Sequence, residues 1–192
     1  MTIKIGVLAL QGDFAEHVVM LRRVGVETCE VRAPGDLVGV DGLLVPGGES
    51  TTIGKLLVRF GLLEPIRELG DSGMPIWGTC AGLILLAKTV GMEQPVLGVM
   101  DIQVDRNAFG RQIDSFETDL EVRDVPGGPL HAVFIRAPVV RTAGDSVDVL
   151  AQLEDGKIVA VRQGRLLGTS FHPELTPDVR MHELFLGMVK GA

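Results

Sequence analysis

Apolar positions in the first half of the chain alternate between two rhythms. Residues 3–10 form a near-continuous β-branched and aliphatic run, the pattern of a strand covered on both faces. Over 13–24 the period changes, and Phe14, Val18, Leu21 and Val24 fall near one stripe of a helix. Residues 27–32 and 42–46 read as further strands. Ser50 reads as the N-cap of a helix reaching about Phe60, and a second helical stretch covers 63–69. A short buried strand at 74–77 and a buried helix over 83–88 close this half. Past Val96 short strands dominate, at 97–104, 118–122, 132–136, 147–153 and 157–162, with Asp155-Gly156 as the hairpin turn between the last two. A strand at 165–171 and an amphipathic helix over 178–189 complete the chain. The pattern predicts an α/β fold in three layers: a mostly parallel sheet with helices on both faces, and additional antiparallel strands in the C-terminal half. No repeat or long linker divides it, so 1–192 is expected to be a single domain.

Composition narrows the partners. A formal net charge of −7 with no basic run argues against nucleic acid or an anionic membrane surface. No apolar stretch approaches the length of a membrane span, and residues 1–5 lack a signal-peptide layout. The two cysteines, Cys29 and Cys80, are too few for a disulfide framework, which fits a cytoplasmic protein. We expect no metal and no cofactor.

Cys80 carries the strongest chemical signal. It sits in Trp77-Gly78-Thr79-Cys80-Ala81-Gly82, with glycines two residues before and after. That is the spacing of a nucleophile elbow, which presents a nucleophile on a sharp strand-to-helix bend. Cys29 lies in an alternating strand pattern and reads as a packing residue. Ligands of doubly wound sheets bind beyond the carboxyl ends of the strands. Four unusual segments fall at such ends: Gln11-Gly12-Asp13, Pro46-Gly47-Gly48-Glu49-Ser50, the Cys80 turn and Phe171-His172-Pro173-Glu174. A cysteine nucleophile needs a base, and the base needs an orienting group. His172 and Glu174 suit these roles, because in an extended segment residues two apart share a side. His17, His131 and His182 read as satisfied structural histidines. Gly47 and Gly48, with the N–H of Ala81 after the nucleophile, form a candidate oxyanion hole. No Gly-Lys-Ser/Thr follows, so the glycines are not a phosphate loop. Arg106 and Arg111 in the loop 105–112, and Arg136 at a strand end, are candidates for binding a carboxylate. The elbow alone also fits other cysteine hydrolases on related folds, or a subunit carrying a relic site.

Together, Gly78–Gly82, Pro46–Ser50 and His172-Pro173-Glu174 resemble the class I (triad) glutamine amidotransferases. More narrowly, the chain is similar to the glutaminase subunits of pyridoxal 5′-phosphate synthase. That likeness rests on Ala9-Leu10-Gln11-Gly12, Glu16-His17, Glu49-Ser50-Thr51-Thr52, Arg106-Asn107-Ala108-Phe109-Gly110-Arg111-Gln112, Phe134-Ile135-Arg136-Ala137-Pro138 and Phe171–Leu175, segments spread over the whole chain. The resemblance implies a Cys80–His172–Glu174 triad that hydrolyses L-glutamine to glutamate and ammonia through a thioester. It implies that glutamine is held by Gly47, Gly48, Glu49, Arg106, Ile135 and Arg136. It also implies a hetero-oligomer with a (β/α)₈-barrel synthase subunit that receives the ammonia. The segment from Gln11 to His17, beside the predicted site, is the expected docking surface.

Overall fold

The computed structural model describes residues 2–106 and 115–191. Five elements follow one another in βαβ fashion from the start: β1 (Lys4–Leu8), α1 (Phe14–Arg23), β2 (Glu27–Val31), β3 (Gly42–Val45) and α2 (Ser50–Arg59). Then come α3 (Leu63–Asp71), β4 (Ile76–Thr79), α4 (Ala81–Leu86), β5 (Ala87–Val90), β6 (Met100–Asp105), β7 (Ser115–Leu120), β8 (Leu130–Ile135) and β9 (Val139–Ala143). The chain ends with β10 (Asp148–Gln152), β11 (Ile158–Gln163), β12 (Leu166–Thr169) and α5 (Arg180–Lys190).

The main sheet runs β2-β1-β3-β4-β12-β11-β9-β6-β5, with β10 paired to β11. From β2 to β12 all pairs are parallel, and beyond β12 most are antiparallel. The β7–β8 hairpin forms a separate two-stranded ribbon. The expected α/β architecture is therefore present, including the antiparallel extension. Strand residues alternate between two cores. Ile5, Val7, Leu44, Trp77 and Leu167 join α1, α5 and the ribbon on one face. Leu43, Val45, Ile76 and Leu166 join α2, α3 and α4 on the other.

Several local expectations change. Residues 87–88 are not helical: α4 stops at Leu86, and Ala87 starts β5, which pairs with β6 as Thr89 and Val90 favour. Strand β9 was not expected, because Pro138 masks the β-branched run behind it. The cap of α2 is Glu49 rather than Ser50: its carboxylate accepts the N–H groups of Thr51 and Thr52. Ser50 instead donates its hydroxyl to Gln94, 3.2 Å away.

The register of the parallel strands sets the site. Leu44 lies beside Val7 and Trp77, and Thr79 beside Thr169. Strands β1, β3, β4 and β12 are consecutive neighbours, so the loops after them emerge side by side. Those loops are the four segments singled out from the sequence. Packing of α4 onto this edge demands glycine. A Cβ on Gly82 would sit 2.0 Å from the Val45 carbonyl oxygen, and one on Gly78 would sit 2.5 Å from Gly82 backbone.

Candidate active site

Cys80 caps α4 with φ 48° and ψ −102°, outside the regions an L-residue prefers. Its N–H is held by the Thr169 carbonyl of β12 at 2.8 Å, and its Sγ lies 3.9 Å from the Ile135 carbonyl oxygen. Cys80 as a whole is 7 % exposed. Ala81 is the first residue of α4, so its N–H is free of the helix's own bonding and available to an oxyanion.

His172 follows β12 and is anchored by its N–H to the Val133 carbonyl at 2.8 Å. Its Nδ1 lies 2.6 Å from Glu174 Oε1. The two meet through a single 3₁₀ turn, Pro173–Leu175, rather than an extended segment. Proline opens such a turn readily, because no N–H is required there. Nε2 of His172 is buried without a hydrogen bond of ordinary geometry, which leaves it for Cys80. Burial alone would lower the basicity of this ring. Cys80 and then Glu174 outweigh burial and raise the pKa to about 10. Burial raises the Glu174 carboxyl, and the hydrogen bond from His172 pulls it the other way. His172 therefore carries a proton at neutral pH while facing the thiol.

Sequence reasoning missed Asp13 as part of this group: its Oδ2 lies 3.6 Å from His172 Nδ1. Asp13, His172 and Glu174 each bring one ligand atom within 4.8 Å of the others, the one such trio among the described residues. The Nδ1 proton of His172 is already committed to Glu174, so the arrangement suits proton handling better than metal binding.

The loop after β3 is tied to the loop after β1. Gly47 accepts the Asp13 N–H at 3.2 Å, and Gln11 Oε1 accepts the Glu49 N–H at 2.8 Å. Gly47 is buried, and Gly48 adopts φ 148°. Burial works against a charge on Glu49, but the hydroxyls and N–H groups of Thr51 and Thr52 hold its pKa at about 2. Arg106 Nη2 reaches Glu49 Oε1 at 3.0 Å and its Nη1 reaches Gln94 Oε1 at 3.3 Å. Ile135 is half-buried at the end of β8, and Arg136 is exposed with φ 42°. The rest of the arginine loop, residues 107–112, lies outside the described residues, Arg111 included.

Other expectations fare differently. Gln11 is half-buried and occupied with Glu49. His17 is completely buried, so it offers no surface to a partner, and the docking role expected for it is withdrawn. Its ring contacts His182, Thr79 and Glu174 instead, a grouping no local motif announces. His131 is exposed and satisfied across the ribbon by Glu117 and Asp119. Cys29 is half-buried in β2, and burial pushes its thiol up, away from the reactive thiolate.

Comparison with known proteins identifies the family of the chain. The model of the SNO glutamine amidotransferase family matches residues 7–191. The chain belongs to that family. A curated relative from Herpetosiphon aurantiacus, a pyridoxal 5′-phosphate synthase subunit PdxT, is 62% identical over 96% of this chain and 99% of its own. A protein of the same name from Moorella thermoacetica is 55% identical over 97% and 99%. A crystal structure described as a glutamine amidotransferase superposes with a TM-score of 0.92 at 53% identity, covering 97% of this chain and 98% of the other. Among the described residues, no helix is long and apolar enough to cross a membrane.

Proposed function

We propose that this chain is the glutaminase subunit of a pyridoxal 5′-phosphate synthase. It hydrolyses L-glutamine and passes the ammonia to a (β/α)₈-barrel synthase subunit in the cytoplasm. The observation that carries the chemistry is the strained Cys80 turn beside a protonated His172 held by Glu174 at 2.6 Å. The relatives that share nearly the whole chain carry the pathway.

The Cys80 sulfur, its proton already taken up by His172, attacks the carbon of the glutamine side-chain amide, and the carbonyl electrons move onto oxygen. N–H groups of Ala81 and the Gly47-Gly48 segment are suited to receive that oxyanion. His172 delivers its proton to the amide nitrogen, the C–N bond breaks and ammonia leaves. Neutral His172 then takes a proton from water, whose oxygen attacks the thioester carbon. Collapse expels the Cys80 thiolate and releases glutamate. Glu174 keeps the Nδ1 proton in place, so Nε2 is the nitrogen that exchanges protons with substrate. Glu49 and Arg106 supply adjacent opposite charges, matched to the α-ammonium and α-carboxylate of glutamine. Ile135 and Arg136 would line the same side, next to the thiol. The docking segment begins at Gln11, whose bond to Glu49 links that surface to the glycine loop.

Glutamate release from glutamine, measured with and without the cognate synthase, tests the reading. Cys80→Ala should abolish release while the far-ultraviolet circular dichroism stays unchanged. Full partner-stimulated activity in that variant would remove the triad assignment.

A further inference from the structure

Glu174 is buried with only one of its oxygens occupied by His172. Oε1 accepts from Nδ1, and Oε2 has no hydrogen bond of ordinary geometry. The group beside Oε2 is the ring of His17, whose Nε2 lies 3.2 Å away, with Thr79 Oγ1 at 3.1 Å from the same nitrogen. Across that ring, His17 Nδ1 meets His182 Nε2 at 3.0 Å. The far nitrogen of His182, Nδ1, is buried with no partner.

Two placements of protons satisfy the bonds to His182 and Thr79, and their costs differ. Both rings are fully or almost fully buried, and burial keeps both neutral, so each carries one N–H. Were the His17 proton on Nδ1, its Nε2 lone pair would face a carboxylate, and the His182 N–H at Nδ1 would be buried with no acceptor. With the protons on both Nε2 atoms, His182 donates to His17 and His17 donates toward Glu174 and Thr79. What remains unpaired is one bare nitrogen on His182, which is cheaper to bury than an orphan N–H or a lone pair against an anion.

We propose that His17 is a positioning residue for Glu174, donating its Nε2–H to the oxygen that His172 leaves free, and that His182 fixes the tautomer that makes this donation possible. The inference rests on the triad reading above. His17 does not touch the reacting atoms; it acts by keeping Glu174 ionised and aimed at His172. The titratable groups facing Glu174 are His172 on its own segment, Asp13 and His17 from the start of α1, and His182 of α5 behind His17. Strand β4 adds the uncharged Thr79 and Trp77. Loss of the His17 donor removes a hydrogen bond to the charged carboxylate, which raises its pKa. Activity that needs ionised Glu174 is then lost at a higher pH as the solution is acidified.

Two measurements decide it. Nitrogen-15 spectra of histidine-labelled, unmodified chain at neutral pH should show His17 and His182 as neutral Nε2–H tautomers. An Nδ1–H tautomer at His17 overturns the proposal, whatever the enzyme assay gives. In the complex with the synthase, His17→Leu should lower kcat by about 10- to 100-fold with KM unchanged, and move the acid limb of the pH profile up by about one pH unit. His17→Gln, which can place an N–H near the Nε2 position, should recover most of both. A loss equal at every pH, or a Gln variant no better than Leu, also overturns it. If His17→Leu does not fold, the tautomers decide alone. If the unmodified complex releases no glutamate, the functional reading fails, and the tautomers still answer for His17.

Discussion

Gly47→Ala tests whether the loop after β3 shapes the position of His172. A Cβ built on Gly47 lies 2.6 Å from His172 Cε1, 3.2 Å from its Nδ1 and 3.0 Å from Asp13 Oδ2. Ordinary contact begins near 3.4 Å, so the imidazole must retreat by about 1 Å or the loop must lift. The ring cannot retreat freely, because Nδ1 is tied to Glu174 at 2.6 Å and its backbone N–H to Val133 at 2.8 Å. A displacement of about 1 Å in a proton-transfer group costs about 100-fold in rate. Overpacking at one site costs about 1–3 kcal/mol of stability, so the fold survives. Partner-stimulated glutamate release should therefore fall by about 100-fold in kcat, while the thermal midpoint drops by only about 2–12 °C. The Gly47 N–H is retained, so a lost oxyanion donor would not explain the defect. A Gly47→Ala enzyme with undiminished kcat would refute the claim that this glycine exists to admit the His172 ring.

Two further outcomes follow from the strained turn and the buried imidazoles. Cys80 occupies φ 48°, so Cys80→Gly relieves backbone strain that Cys80→Ala retains. After allowance for the greater freedom of unfolded glycine, the Gly variant should be more stable than the Ala variant by about 1 kcal/mol, about 2–4 °C in thermal midpoint, though both are inactive; equal midpoints would contradict the strain. Burial lowers His182 to a pKa of about 3, so its depressed value leaves the folded state neutral where the unfolded chain takes up a proton. That contribution to stability is intact above about pH 6.5 and drains away as the pH falls toward 3, at about 1.4 kcal/mol per pH unit. Urea titrations of the unmodified chain and His182→Phe should diverge in slope over that window, and parallel curves would show that His182 is not held neutral.

What the sequence made legible is what local pattern can carry. The strand ends, the glycines at 78 and 82 and the pair His172 and Glu174 each express one turn of backbone. Their convergence followed from the rule that parallel strands deliver their loops to one edge. The parts that stayed hidden are tertiary. His17 and His182 are 165 residues apart, and nothing in either helix marks it as a partner of the other. Asp13 reads as a helix-start residue until the fold brings it 3.6 Å from His172. Glu49 displaced Ser50 as the cap of α2 because its longer side chain reaches back to Thr51 and Thr52, whereas Ser50 turns to Gln94, on a segment 44 residues away.

The buried groups behind Cys80 acquire direction from this hidden part. Two imidazoles flank one carboxylate, yet their protonation states are opposite. His172 is driven up to about 10, while His17 is pushed well below the ordinary histidine value and His182 down to about 3. Burial acts on all three in the same sense, so burial does not distinguish them. The difference is that His172 alone is raised by bonds to Cys80 and Glu174, whose effect outweighs burial there and is absent at the other two rings. Were His17 also charged, Glu174 would divide its charge between two cations and hold the His172 proton less firmly. A neutral His17, kept so by full burial and 3.2 Å from Glu174 Oε2, can offer the carboxylate an N–H without competing for its charge, and the one mobile proton stays on the ring that faces the thiol.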